Sequence, residues 1–418
     1  MGIQLPSVRK GLLQLIFSGS FMKRWNDKLR PVELAEVDKQ AHKMIAAFAL
    51  FVLNSKGLHR EEQIKLAEDI ILGGIFDYLY RLVITDIKPP VFYQIKSNPD
   101  HYRQLTKWVL EQLQPRVQPL GGEFWDRLRS YLEKPDHPDL AGRILSGAHI
   151  FASSWEFSLI KGINPGDDEL KEIEDNFAAL LQEHNDLEGM QDLIQGSNSG
   201  LGGFLNLCGR LRFQKRWSQT PRIPETSVLG HMFIVACFAY FFSLSIQACP
   251  LRRQNNFFAG LLHDLPELLT RDIISPVKQS VRRIGDLIKE YENQELEQRV
   301  FTLLSDPAYS DLTGRLRYYL GADGTSEFDN TIVQGGRAIR VSWADLQTRY
   351  NQDCFDPKDG YLLKVCDNLA AFIEAYTATR NGITNEQLQH AQWKIRNMYQ
   401  HESLLEGVHI GALLADFD

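Results

Sequence analysis

The chain has few cysteines, and they follow no recognisable pattern. There are five in 418 residues, an odd number, and no two stand in a CxxC arrangement. This argues against both a disulfide framework and a zinc knuckle. The expected setting is therefore reducing and cytoplasmic.

The chain also lacks an excess of basic residues. Lys and Arg number 46 against 53 Asp and Glu, which gives a formal net charge of -7. That balance argues against a nucleic-acid partner. A small anionic ligand remains compatible with it, provided that a metal ion and arginines supply positive charge locally.

Targeting and membrane signals are scarce. Arg and Lys interrupt the start of the chain, so it lacks a signal-peptide layout, and Pro6 breaks the myristoylation pattern. Residues 231–249 are almost long enough to span a bilayer. This stretch contains His, Ser and Gln, and a second apolar run with acidic groups follows it, so we interpret it as a buried core helix of a soluble protein without a membrane role.

Apolar residues recur at spacings of three and four along most of the chain, whereas strand-like alternation is scarce. This periodicity is typical of amphipathic helices and predicts an all-α fold. The clearest predicted helices cover residues 34–53, 64–82, 102–113, 170–181 and 286–304.

An internal repeat is suggested by three pairs of similar segments. AHKMIAAFAL resembles GHMFIVACFAY, GGIFDYLYRLVITDIKPPV resembles AGLLHDLPELLTRDIISPVK, and LSGAHIFASSWEF resembles LKVCDNLAAFIEAY. Amphipathic helices all look alike to some degree, but the ordered His, Asp and Asp-Ile-x-x-Pro-Val are harder to obtain by chance. The alignment pairs His42 with His231, Phe76-Asp77 with His263-Asp264, Asp86 with Asp272, and His149 with Asp367.

The repeat predicts two domains, at residues 1–190 and 204–418. A Gly- and Ser-rich stretch at 185–203 suits a linker between them. The second copy is longer by about 30 residues, which we assign to an excursion or lid at 321–360.

Chemistry-bearing residues concentrate in the second copy. His263 and Asp264 adjoin in an apolar run, where burying both is costly unless each has a partner. A divalent cation would satisfy both, although a His-Asp pair alone is more often structural. With His231 and Asp367 the set has two imidazoles and two carboxylates, which suits Mn, Co, Fe, Ni or Zn, with Mg also allowed, better than calcium.

The order H…HD…D resembles the signature of the HD-domain phosphohydrolases, an all-helical family that binds a divalent metal ion. HDLPELLTRDIISPVK is similar to a stretch of the bacterial 5′-deoxynucleotidases of this family. Lys215-Arg216-Trp217 precedes the first histidine as an Arg-Trp pair does in those enzymes, and LKVCDNLAAFIEA resembles their last helix. The resemblance covers roughly residues 208–375 and leaves 321–360 unmatched.

The resemblance implies a role for each matching residue. His231, His263, Asp264 and Asp367 would bind the metal ion, which activates water and polarises the phosphoryl group. The remaining roles would be water activation by Glu267, contact with the leaving sugar oxygen by Asp272, phosphate binding by Arg216, and packing near the base or sugar by Trp217. Lys278 would neutralise phosphate or solvate a loop.

Simpler interpretations stay open for these residues. Glu267 and Asp272 could be solvated helix-end charges, Arg216 part of a basic surface run, and Trp217 a core residue. Two positions depart from the family pattern. Pro266 can break the helix and redirect Glu267, and Arg271 stands where the nucleotidases have glycine.

The first copy has lost most of these residues. Phe76 replaces a metal-binding histidine, Tyr80 stands at the position of Glu267, and His149 replaces the last aspartate. We therefore expect it to be catalytically silent, acting as an intrachain pseudo-dimer partner beside or instead of a homodimer. A residual metal site built from His42, Asp77 and His149 is the alternative.

The predicted function is metal-dependent hydrolysis of a phosphate ester, with a nucleoside 5′-monophosphate as the leading substrate. Two alternatives stay open: hydrolysis of another nucleotide by an HD phosphodiesterase or triphosphohydrolase, and a non-catalytic sensor of the same fold. A sensor predicts lost ligands, whereas the second copy retains the complete set.

Overall fold

The computed structural model describes residues 7–270, 282–322, 324–405 and 407–418, and these form an all-α protein. The helices before residue 211 are α1 (Lys10–Ser18), α2 (Glu36–Asn54), α3 (Arg60–Ile84), α4 (Pro89–Ser97), α5 (Pro99–Val117), α6 (Gly122–Leu132), α7 (Leu140–Lys161), α8 (Glu169–Gln182), α9 (Met190–Gln195) and α10 (Gly200–Arg210). The later helices are α11 (Val228–Ser245), α12 (Pro250–Leu262), α13 (Glu267–Thr270), α14 (Arg282–Glu295), α15 (Ser310–Leu320), α16 (Trp343–Thr348), α17 (Gly360–Arg380), α18 (Glu386–Tyr399) and α19 (Ile410–Ala415).

The five helices predicted from apolar spacing are confirmed. They correspond to α2, α3, α5, α8 and α14, the last of which continues as a π-helical turn at Leu296–Phe301. Strands in the described residues are limited to two small antiparallel hairpins. These are β1 (Thr331–Gln334) with β2 (Arg337–Arg340), and β3 (Ser403–Leu405) with β4 (Val408–His409).

Helix α11 lies at the centre of the protein. It is long and apolar enough to cross a membrane, with a mean hydropathy of 1.8, but 94% of it is buried inside the protein. It packs against α2, α12 and α17. The prediction that this run is a buried core helix is confirmed.

One hydrophobic core extends across both predicted domains. Aromatic pairs join the two halves of the chain, with ring centroids 5.0 Å apart for Tyr78 and Phe233 and 4.8 Å apart for Phe48 and Phe258. The stretch at 185–203 is also packed rather than extended, since it contains α9 and the start of α10. Apolar side chains spaced along it, such as Met190 and Leu201, are buried in that core.

The first turns of α2 and α11 meet at a polar contact inside this core. Ser227 begins α11, where its Oγ accepts a hydrogen bond from the Gly230 N–H. The same hydroxyl donates to Asp38 Oδ1 over 2.6 Å, and both residues are buried. Burial raises the pKa of Asp38 to about 6, although Arg212 and the Ser227 hydrogen bond act in the opposite direction.

The raised pKa of Asp38 predicts a pH-dependent effect of the substitution Asp38→Asn. A carboxyl group whose pKa rises on folding stabilises the protein below its unfolded pKa of 3.8, and this stability is lost as the pH rises through about 6. Asn keeps an oxygen acceptor for Ser227 without the charge. The variant should therefore gain up to about 3 kcal/mol of unfolding free energy relative to wild type between pH 4 and pH 7.

Urea unfolding at a series of pH values measures this gain. Asp311→Asn, at an exposed position in α15, is the matched control and should run parallel to wild type. A parallel profile for Asp38→Asn as well would show that the buried charge has no such cost.

Candidate metal centre

His231 occupies the first turn of α11, close to the Ser227 cap. Its side chain is fully buried. Its Nε2 lies 3.1 Å from Asp367 Oδ1 on α17 and 3.7 Å from Asp264 Oδ2, just beyond the end of α12. The central helix thus brings one imidazole to two carboxylates that are distant from it in sequence.

His263 directly follows α12 and points one ring nitrogen at this group of side chains. Its Nδ1 lies 2.8 Å from the Gly260 carbonyl oxygen, so this nitrogen carries the proton and donates. Its Nε2 is buried, makes no hydrogen bond, and lies 3.3 Å from Asp264 Oδ2. A buried imidazole nitrogen that makes no hydrogen bond and faces a carboxylate is the arrangement that a metal ligand requires.

The two carboxylates form the more open side of the cluster, with side chains of Asp264 and Asp367 17% and 16% exposed. Burial alone would raise the pKa of each. The pKa of Asp264 is nevertheless held well below its usual range by His263, His231 and Arg216, and that of Asp367 by Lys364 and the histidines. Both groups are therefore ionised and available as ligands at neutral pH.

This donor set fits a divalent metal ion. Ligand atoms of His231, His263 and Asp264 lie within 4.8 Å of one another, and Asp367 adds a second carboxylate next to His231. No other group of three or more such ligands occurs in the part of the chain that the structure describes. Two imidazole nitrogens and two carboxylate oxygens suit a transition-metal ion such as Mn, Co, Fe, Ni or Zn.

Glu374 organises the wall behind the ligands. It is buried on α17, where Trp217 Nε1 donates to Oε2 over 2.8 Å and Thr226 Oγ1 donates to Oε1 over 2.7 Å. Burial would raise its pKa, but Arg216 and Arg222 outweigh it and lower the pKa to about 2. An ionised carboxylate is thus fixed 4.0 Å from Nδ1 of the ligand candidate His231.

Arg216 connects this wall to the ligands. Its Nε lies 3.3 Å from Glu374 Oε2, and its Nη1 lies 3.4 Å from Asp264 Oδ2. The side chain is only 12% exposed and contacts Asp264, so it lies at the ligand cluster rather than in a basic surface run. The phosphate-binding role that the resemblance implies stays a prediction.

Trp217 is held inside the protein by several contacts. Its backbone has a φ of 57°, in the left-handed region, and the Arg222 guanidinium lies 5.6 Å from its ring. The ring also packs against a small apolar cluster of α17 and α18. With its N–H bound to Glu374, the indole supports the site from behind, and contact with a base or sugar stays a prediction.

Two side chains that the sequence prediction did not include border the open face. Lys364 Nζ lies 2.9 Å from Asp367 Oδ2, and the side chain is 48% exposed. Phe328, from the 321–360 excursion, lies beside His263 and Lys364, with its ring 6.1 Å from that of His263 and 4.5 Å from Lys364 Nζ. The excursion therefore reaches the site, and its action as a lid stays a prediction.

Glu267 is buried, but the helix does not continue to it. After α12 ends at Leu262, backbone hydrogen bonds join residues three apart, including Glu267 N to Asp264 O at 3.0 Å. Pro266 interrupts the regular pattern, as expected, and Glu267 begins the short helix α13. Asp272, Lys278 and Arg271 lie outside the described residues.

The alternative metal site of the N-terminal half is not assembled. His42 is fully buried between aromatic rings, with Nε2 2.9 Å from the Leu205 carbonyl oxygen, and burial followed by Arg212 lowers its pKa to about 3. Asp77 and His149 instead contact lysines. The three residues form no ligand group of the kind found around His231, although all of them are described.

The ligand geometry predicts the effect of Asp264→Asn on metal binding. Removing one negative charge from a set with two anionic ligands should weaken Mn²⁺ or Co²⁺ binding at least about 100-fold. Asp345→Asn, at an exposed ion pair on α16, provides the matched control. Titration calorimetry on chelator-treated protein measures both, and equal affinities for the two variants would exclude Asp264 as a ligand.

Comparison with known families agrees with this geometry. The model of the HD domain family matches residues 208–396, which include all four candidate ligands. No curated protein matches the chain. HD domains are all-helical and bind divalent metal ions. The described helices and the His-Asp cluster agree with these two properties. Residues 208–396 of this chain are therefore similar to the HD domain family, whose members are typically metal-dependent hydrolases.

Proposed function

We propose that the C-terminal half hydrolyses a phosphate monoester, with a nucleoside or deoxynucleoside 5′-monophosphate as the substrate. The observation that carries this proposal is the complete ligand set His231, His263, Asp264 and Asp367, with Arg216 beside it. A non-catalytic sensor has no need to keep all four ligands, so their retention favours an enzyme.

Each described side chain has a task in this reaction. A divalent ion at the four ligands would supply Lewis-acid activation of water and of the phosphoryl group. Arg216 and Lys364 border the ligand cluster with positive charge, where they would hold phosphate oxygens and offset charge in the transition state. Glu267 is proposed to orient or deprotonate the attacking water, and Asp272 to protonate the leaving sugar oxygen.

The number of cationic side chains around the site favours a substrate with one phosphate group. Within the described residues, the site has a single metal-ligand group and two nearby cations, Arg216 and Lys364. Triphosphates carry more charge to neutralise, and phosphodiesterases of the two-metal kind need further ligands. A small phosphate ester is therefore the proposed partner, acted on in the cytoplasm, and Phe328 is placed to contact its organic part.

Phosphate release from ribo- and deoxynucleoside monophosphates tests this proposal. Chelator-treated protein should be inactive and should regain activity with Mn²⁺, Co²⁺ or Mg²⁺. Asp264→Ala should reduce release to background, because it removes an anionic ligand. Asp345→Asn should keep wild-type activity, since its side chain is 43% exposed and is paired with Arg349.

The opposite result is equally informative. Tight metal binding without release from any monophosphate would refute the nucleotidase proposal. Cyclic and linear diesters and nucleoside triphosphates, assayed in parallel, would then identify the reaction of the same site.

Glu374→Gln should separate positioning from metal binding. The neutral amide no longer fixes Arg216 and Trp217 by charge, so kcat should fall about 10-fold or more. Metal affinity should fall much less than in Asp264→Asn, because Glu374 lies 4.0 Å behind His231 and is not among the ligands.

Glu386→Gln, at an exposed position in α18, is the control for loss of one carboxylate, and Glu374→Asp should recover part of kcat. Equal losses of kcat and metal affinity in Glu374→Gln, with no recovery in Glu374→Asp, would show that its role is only to stabilise the fold.

A further inference from the structure

A second group of buried polar side chains, here called the crevice, lies in the N-terminal half, where α2, α3 and α7 pack together. Lys39 and Lys43 project into it from one face of α2, and both are 1% exposed. His149 on α7 and Asp77 on α3 complete it; each side chain is partly exposed, whereas the His149 Nδ1 lies inside, beside Lys39. The crevice therefore has buried amines on its inner side and partly exposed groups on its outer side.

The walls of this crevice repeat those of the metal centre. Arg24 Nε lies 2.8 Å from Glu156 Oε2, and Trp25 Nε1 donates to the same oxygen over 3.1 Å. The φ of Trp25 is 56°, against 57° for its counterpart. The matching residues in the C-terminal half are Arg216, Trp217 and Glu374, with distances of 3.3 and 2.8 Å.

Backbone contacts fix which residues correspond. An isolated β-bridge pairs Lys23 with Ala35, and another pairs Lys215 with Ser227. The residue four positions after Ala35 is Lys39, just as His231 is four positions after Ser227. These contacts support a tandem arrangement, with a register in which Lys39 rather than His42 takes the place of His231.

The same register pairs His149 with Asp367. Each lies seven residues before the buried glutamate of its half. Lys39 Nζ lies 2.6 Å from His149 Nδ1, where the other half has His231 Nε2 at 3.1 Å from Asp367 Oδ1. Lys39 thus has an amine where His231 has an imidazole, and His149 has an imidazole where Asp367 has a carboxylate.

This exchange reverses the electrostatics of the site. Lys43 is paired with Asp77 at 2.5 Å, whereas Lys39 has no carboxylate within ion-pair distance in the described residues. Its contact partner His149 is neutral, because burial and then Lys39 and Lys43 hold the pKa of His149 well below its usual range. Burial lowers the pKa of Lys39 as well, so a bound anion, rather than a metal ion, would stabilise its charged form.

We propose that the crevice binds a phosphate group through Lys39, Lys43 and His149, without a metal ion and without hydrolysis. Three nitrogens beside a partly exposed side chain suit a phosphate dianion, either free or attached to a small molecule. The site lacks the anionic ligand pair of the C-terminal half, so a bound ester is retained rather than cleaved.

Titration calorimetry of the full chain with inorganic phosphate, and separately with AMP, tests the proposal. The protein is first treated with chelator, so that no metal ion anchors phosphate at the other site. Lys39→Gln should weaken binding of the phosphate-bearing ligand about 10-fold or more, since it removes the charged donor. Lys161→Gln removes the same charge from an exposed ion pair on α7 and should bind like wild type.

The two ligands distinguish the source of the phosphate group. Comparable affinities would identify free phosphate as sufficient, and much tighter AMP binding would identify a phosphorylated small molecule. Binding of neither ligand to wild type at millimolar concentration, or equal binding to wild type and Lys39→Gln, would overturn the proposal.

A second measurement follows the site in the wild-type protein itself. The His149 ring proton resonances of the wild-type protein, assigned by their loss in His149→Gln, should shift when phosphate is added. Lys39→Arg, which keeps the charge, should retain the shift. Unchanged His149 resonances at saturating phosphate would refute the site even if phosphate binds elsewhere, and phosphate release by the C-terminal half is assayed independently of both results.

Discussion

The site depends on one electrostatic constraint, which is that charged side chains inside an apolar core must be neutralised there. Helix α11 places His231 in a fully buried position, where it meets two carboxylates and lies close to a third, Glu374. Arg216 contacts Glu374 and Asp264 together. Arg216, Arg222 and Lys364 keep the three carboxylates ionised, so Asp264 and Asp367 are available to a divalent ion at the more open face.

The same scaffold carries the opposite charge balance in the N-terminal half. Glu156 takes the place of Glu374 and receives the same Arg and Trp contacts, but Lys39 projects where a ligand would be. Asp38, the neighbour of Lys39, accepts a hydrogen bond from the hydroxyl of Ser227, the residue that caps α11. The two sites are thus adjacent along a continuous core, with a metal proposed in one and an anion in the other.

Periodicity and ligand order predicted much of this from sequence. Apolar spacing located five helices correctly, and burial of the run after His231 followed from the polar residues within it. The ligand cluster was predictable because a His-Asp pair in an apolar run must be neutralised by a partner. The register of the repeat was not predictable in the same way. Matching residues by type aligned His42 with His231, whereas the backbone contacts of the recurring Lys-Arg-Trp segment align Lys39 with His231. Phe328 was missed because an unmatched excursion carries no signal of where it packs.

Anomalous diffraction from crystals soaked in Mn²⁺ after chelation tests the central claim most directly, because it locates the ion without relying on activity. The account predicts one strong peak among His231, His263, Asp264 and Asp367, with nitrogen and oxygen ligands at roughly 2.0–2.2 Å, and no peak between Lys39 and His149. A peak in the N-terminal crevice, or none among the four ligands, would contradict it.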